Sequence, residues 1–235
     1  MLISGIQKLS LVDYPGKVCC VIFTQGCNLK CPFCHNSGLI KNTNNSEFNI
    51  LDLYDFFEKR VGLIDGVCIS GGEPTLQKDI KQFILSIKKY GYLIKLDTNG
   101  TNPDILRYLI ESNIVDYVAM DVKNSFDKYS MTCGQPNVYL PNIKKSINYL
   151  KSCNIDYEFR TTVLKDYHTE QDMVRLAKEL KGCKNYYIQK FVKSDNIIDN
   201  RCEELDHDTL FKYLQIVRQY IPNAEIRGID LESAL

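Results

Sequence analysis

Three cysteines, Cys27, Cys31 and Cys34, fall within eight residues of the stretch "TQGCNLKCPFCHN". In a reducing compartment, thiols clustered at this spacing read as metal ligands rather than as a disulfide framework. A structural zinc site is closed by four ligands, and iron–sulfur clusters also normally take four cysteines. Three leave one metal position open, and an open position is a reactive one. His35, beside Cys34, could complete a zinc site. The spacing alone therefore admits structural zinc, an electron-transfer cluster, or a cluster with one iron free for a substrate.

Four later segments carry further polar chemistry. In "SGGEP" (70–74), Gly71 and Gly72 let a ligand come close to the backbone, and Glu73 offers a carboxylate to an ammonium group. In "DTNG" (97–100) and "MDVK" (120–123), Asp97, Thr98 and Asp121 are hard oxygen donors. They suit a cation, a ribose hydroxyl or a helix cap. Arg160 in "FRTTV" presents a guanidinium suited to a carboxylate or to a structural ion pair. Gln189 lies in "YIQKF".

The elements that must position these residues are legible as a pattern. Apolar strand-like runs at 18–23, 66–70, 92–100 (strand and turn), 116–123, 157–164, 186–191 and 224–229 alternate with helical periodicity. Ile50, Leu53, Tyr54 and Phe57 share one helical face; Ile80, Phe83, Ile84 and Ile87 share another. Pro103 suits a first helical position, Thr169 and Asp172 form a capping-box pattern, and Leu210, Leu214, Val217 and Ile221 mark a last helix. Such alternation predicts an α/β fold with a parallel sheet and right-handed crossovers. About six βα units fall short of the eight that close a TIM barrel, so the expectation is an open, partial barrel. Each polar motif falls at a predicted strand's C-terminal end, where parallel α/β folds hold their sites. The chain reads as one domain over 1–235, with 1–17 as an extension before the first barrel strand and 41–47 as a surface loop.

Composition narrows the function classes. The 29 basic and 29 acidic residues balance to zero, which gives no electrostatic case for nucleic acid or an anionic membrane. No signal-peptide pattern opens the chain and no run reaches membrane-spanning length, so a cytoplasmic setting is expected. Cys19, Cys20 and Cys68 sit in apolar runs and read as core. Cys133, Cys153, Cys183 and Cys202 are scattered without ligand spacing. Cys133 precedes Gly134 in a polar segment, which leaves exposure and a redox role open. His168 and His207, beside helix starts, read as surface residues.

Cys-x3-Cys-x-aromatic-Cys, with Phe33 as the aromatic, resembles the signature of the radical S-adenosylmethionine superfamily. The resemblance implies a [4Fe–4S] cluster on Cys27, Cys31 and Cys34, with S-adenosylmethionine chelating the fourth iron. Reductive cleavage to a 5′-deoxyadenosyl radical would follow, and His35 becomes a loop residue. "GGEP" is similar to the family's motif for the methionyl amino group, which implicates Gly71, Gly72 and Glu73. "DTNG" and "MDVK" resemble segments of glycyl-radical-enzyme activases, pyruvate formate-lyase activating enzyme among them. That implies a monovalent cation at Asp97, Thr98, Met120 and Asp121, with Asn99 and Lys123 near the cofactor. By the same resemblance Arg160 meets the cofactor carboxylate and Gln189 the adenosine, while Phe33, Ile226 and Ile229 flank the adenine.

The opening "GIQKLSLVDYPGKVCCVIFTQGCNLKCPFCHN" is similar to the long form of anaerobic ribonucleoside-triphosphate reductase activating proteins. This implies hydrogen abstraction from a glycine of a partner enzyme, with flavodoxin or ferredoxin as reductant. Pyruvate formate-lyase or another glycyl-radical enzyme as partner, and a small-molecule substrate, remain open. So do an iron–sulfur electron carrier and a zinc-stapled binding module.

Overall fold

Strands with apolar residues on both faces alternate with amphipathic helices from Cys19 to Arg227. A computed structural model describes residues 1–40 and 49–228; the polar stretch 41–47 and Ile229 lie outside the described residues. The fold is α/β with an open sheet, its strands in sequence order from β1 to β8. Strand β1 (Ile3–Ser10) runs antiparallel to β2 (Cys19–Thr24). The extension read in the sequence thus contributes an edge strand. Neighbours β2 and β3 (Gly66–Gly71), and β3 and β4 (Leu93–Thr98), pair in parallel. So do β6 (Asp156–Val163) and β7 (Tyr186–Lys190), and β7 and β8 (Glu225–Arg227). Sequential parallel neighbours are what repeated right-handed crossovers produce. Among the described residues no helix is long and apolar enough to cross a membrane.

The chain divides into two compact units, with β5 (Tyr117–Asp121) contributing to both. The first comprises Met1–Asn28, Gly38–Ala119 and Asn142–Asp156. Cys20, Ile22, Val67, Ile69, Ile94 and Leu96 alternate along β2, β3 and β4 on one fully buried face. Helix α1 (Ile50–Lys59) is capped by Asn49, whose side chain accepts from the Leu51 N–H, and buries Leu53 and Phe57. Ile50, on the expected face but in the first turn, is exposed. Helix α2 (Ile80–Lys88) buries all four expected residues. Helix α3 (Pro103–Glu111) starts on Pro103. On the other face of β2–β4, Tyr14, Cys19, Val21 and Cys68 form an apolar cluster.

The second unit comprises Leu29–Ser37, Met120–Pro141 and the chain from Tyr157 onward. It holds α4 (Tyr129–Thr132), α6 (Glu170–Leu180) and α7 (His207–Arg218); helix α5 (Leu140–Ser152) lies almost wholly in the first. The Thr169–Asp172 capping box is formed, and Met173, Leu176, Ala177 and Leu180 are buried behind it. Ile221 falls beyond α7, buried in the turn that follows.

Candidate active site

In the first unit, the backbone at the end of β3 docks on the start of the cysteine loop. Gly72 N–H donates to Thr24 O at 2.9 Å, and Glu73 N–H to Gly26 O at 2.8 Å. A Cβ on Gly71, at φ +106, would lie 2.4 Å from Thr24 N; one on Gly72 would lie 2.1 Å from Gly26 O. Both glycines are therefore demanded by the approach of the chain's own loop.

Glu73 is completely buried. Its Oε1 accepts from Thr75 N (3.1 Å), Thr75 Oγ1 (2.5 Å) and Thr98 Oγ1 (2.8 Å), and its Oε2 from Asn99 N (2.6 Å). Burial pushes its pKa up, against these four hydrogen bonds. The carboxylate thus ties the ends of β3 and β4 together from beneath. Asn99 does the same for the cysteine loop: its amide donates to Asn28 Oδ1 at 2.9 Å and reaches Cys27 Sγ at 3.9 Å. Thr101 Oγ1 closes the circuit, donating to Asn99 Oδ1 at 2.7 Å and accepting from Asn28 Nδ2 at 2.9 Å. Asn28 and Thr101 escaped the sequence argument, though an Asn inside a Cys-x3-Cys loop was a usable signal.

Asp97 pairs with the buried ammonium of Lys95 and accepts from Ser70 Oγ at 3.1 Å. Thr98 Oγ1, besides donating to Glu73, accepts from Gly100 N at 3.1 Å. Lys95 is two residues before Asp97 on the same strand face, a spacing the sequence displays openly.

In the second unit, Cys31 is buried, Cys34 half-buried, and Lys123 close enough to act on both through its charge. A hydrogen bond from Cys133 outweighs burial and, with Lys123, brings the Cys31 pKa down to about 7. Burial pushes Cys34 up. Asp121 accepts from Lys123 Nζ and from Arg160 Nε, both at 2.9 Å. Burial opposes its ionisation, but the two cations outweigh it and hold its carboxyl below the usual range. Glu158 lies 4.0 Å from Arg160 and takes both arms of Arg227 at 2.6 and 2.8 Å. The Arg227 guanidinium stacks 3.4 Å over the Tyr187 ring. Among the described residues, Lys123, Arg160 and Arg227 stand against Asp121 and Glu158 in this cluster. Arg227 and Glu158 lie in the runs 224–229 and 157–164 beside the singled-out Ile226, Ile229 and Arg160; a charge inside a strand-like apolar run was the available signal.

The remaining expected residues are placed as follows. Phe33 is buried, with ring centroids 6.2 Å from Tyr167 and 6.4 Å from Phe191. His35 stacks on Phe191 at 5.4 Å and bonds through Nε2 to Val192 O at 2.7 Å. Gln189 and Ile226 are half-buried, on neighbouring strands, and Met120 is fully buried. One expectation is overturned and one open point is closed. His168 is buried, not a surface residue: Nδ1 accepts from Leu164 N at 3.3 Å and Nε2 meets Lys123 O at 3.0 Å. Burial pushes its pKa down to about 4. Cys133 is fully buried, because its own backbone docks on Lys30. Among the described residues, no three His, Cys, Asp or Glu side chains are already gathered as a metal-binding group.

The Radical SAM superfamily profile matches residues 21–180. A Methanocaldococcus jannaschii protein, provisionally named a glycyl-radical enzyme activating enzyme, is 38% identical over 97% of both chains. A Staphylococcus aureus pyruvate formate-lyase-activating enzyme is 27% identical over 80% of this chain and 77% of its own. Among solved structures, Streptococcus suis SuiB bound to S-adenosylmethionine superposes with a TM-score of 0.72 at 17% identity. That match covers 91% of this chain and about half, 51%, of SuiB.

Proposed function

We propose that this chain, which belongs to the radical SAM superfamily, is an activating enzyme that removes a hydrogen atom from a glycine of anaerobic ribonucleoside-triphosphate reductase. The observation that carries the reading is the loop of Cys27, Cys31 and Cys34, with the GGEP turn hydrogen-bonded onto its first residues. The donor chemistry fits a [4Fe–4S] cluster with S-adenosylmethionine: three thiols, one already drawn toward thiolate with the help of Lys123. When bound, these groups supply one-electron cleavage of a carbon–sulfur bond and, from it, hydrogen-atom abstraction.

The chain's own residues then have distinct tasks. Cys27, Cys31 and Cys34 would hold the cluster. Arg160 and Lys123 would meet the cofactor carboxylate. The Gly71–Gly72 backbone, fixed by the buried Glu73, would position the amino group, and Asn99 would steady Cys27. Gln189, Ile226 and Phe33 would line the adenosine. The proposal takes no added monovalent cation at Asp97, Thr98, Met120 and Asp121, because Lys95, Lys123 and Arg160 already neutralise both carboxylates. A flavodoxin or ferredoxin in the cytoplasm would be the electron source.

The reductase as partner rests on the "SLVDYPGK" resemblance (10–17). A second reading, pyruvate formate-lyase as partner, is favoured by the Staphylococcus aureus relative. The test is to mix the reduced, cluster-loaded protein and S-adenosylmethionine with each partner in turn. A glycine-centred EPR signal in the reductase alone supports the first reading; a signal in pyruvate formate-lyase alone replaces it with the second.

A further inference from the structure

We propose that Cys133 is a positioning residue for the iron–sulfur site, its buried thiol donating a hydrogen bond to Cys31 Sγ and raising the reduction potential of the cluster that Cys31 ligates. The inference rests on the cluster reading above and adds a fourth cysteine to it, one outside the ligand motif.

The backbone holds Cys133 against the cysteine loop. Its N–H donates to Tyr129 O at 2.9 Å, closing the short α4 turn. Its carbonyl accepts from Lys30 N–H at 3.0 Å, one residue before Cys31. Gly134 follows at φ +59, and a Cβ there would lie 2.1 Å from Lys30 O. Only glycine lets the two segments approach this closely. The turn is anchored from behind, where Asn124 Nδ2 donates to Thr132 Oγ1 at 2.9 Å and to Tyr167 O at 2.8 Å. The Cys133 thiol is fully buried and hydrogen-bonded to Cys31.

A thiolate that ligates iron keeps lone pairs able to accept such a bond. Reduction adds negative charge to the cluster and its sulfurs, so a donor aimed at one ligand sulfur favours the reduced form. No water competes for the donor in a fully buried position. A thiol that merely filled space would leave the potential unmoved when replaced by an apolar side chain.

The test compares wild type with Cys133→Ala, Cys133→Val and Cys133→Ser after anaerobic reconstitution with iron and sulfide. Iron content and a potentiometric EPR titration are read without S-adenosylmethionine or partner. Alanine and valine should lower the reduced fraction at a fixed potential about tenfold, a shift of about 59 mV for a one-electron couple. Serine, which keeps an O–H donor, should stay nearer wild type. Valine, which leaves no cavity, carries the expectation if the alanine cavity unfolds the chain. A valine or alanine variant with full iron and wild-type potential overturns the inference, as does a serine variant shifted as far as alanine. A wild-type chain that takes up no iron overturns the cluster reading beneath it.

Discussion

Two charged clusters of similar residue types are built to opposite ends. In the first unit, Lys95 and Asp97 balance one another, with side chains only 1% and 12% exposed. Glu73 beside them has every donor it needs within the chain. In the second unit, Asp121 is 30% exposed and shared by two cations, and Arg160 and Lys123 reach solvent at 14% and 15%. The first cluster is closed and neutral apart from the hydrogen-bonded Glu73. The second reaches solvent, with Lys123 and Arg160 both on Asp121. A carboxylate in a motif is thus a scaffold where the chain satisfies it. In the proposed function, the solvent-reaching cation pair is what meets the cofactor.

That contrast sets the order of expected effects. Glu73→Ala strands two buried backbone N–H groups and two hydroxyls, and should cost about 4 kcal/mol of stability by denaturant unfolding. An unchanged unfolding midpoint with lost cofactor binding would instead make Glu73 a direct ligand and erase the difference between the clusters. The second prediction concerns acid. All three histidines lie in the second unit, and His168 is buried and neutral, its pKa held at about 4 against 6.5 for an unburied ring. Between those values the unfolded chain binds the extra proton. Stability is therefore full above pH 6.5 and is lost as pH falls toward 4, by roughly 3 kcal/mol. His168→Gln should flatten that limb of the pH–stability curve; an unchanged slope would place the acid sensitivity elsewhere. The smallest effect is expected at Arg160. Arg160→Gln leaves Asp121 its Lys123 partner, so the chain stays folded and loads iron. Its affinity for S-adenosylmethionine should fall about tenfold, roughly 1.4 kcal/mol. Unchanged affinity by calorimetry would make Arg160 as structural as Lys95.

Much of this was legible in the sequence because it is local. The apolar runs located β2 to β8 to within about two residues at their N-terminal ends, and Thr169 with Asp172 announced the start of α6. Edge strand β1 was missed because "ISGIQKLS" buries only its first and last residues and lacks a continuous apolar run. The four residues of α4 are too few to show a period. The burial that the sequence did not reveal depends on distant partners. His168 is buried by a carbonyl 45 positions away, at Lys123. Cys133 is held by Lys30. Gly71 and Gly72 signalled a close approach correctly, but no local pattern could say that the approaching group was the chain's own Thr24–Gly26 backbone.

The central claim is that three cysteines hold a cluster whose remaining iron belongs to the cofactor. Iron and zinc analysis of the anaerobically reconstituted wild type and Cys31→Ser, with EPR of the reduced protein before and after S-adenosylmethionine, tests it most directly. The account predicts about four irons per wild-type chain, no zinc, and a spectrum that changes when S-adenosylmethionine is added, with iron largely lost in Cys31→Ser. A colourless wild-type protein holding one zinc and no iron would contradict it.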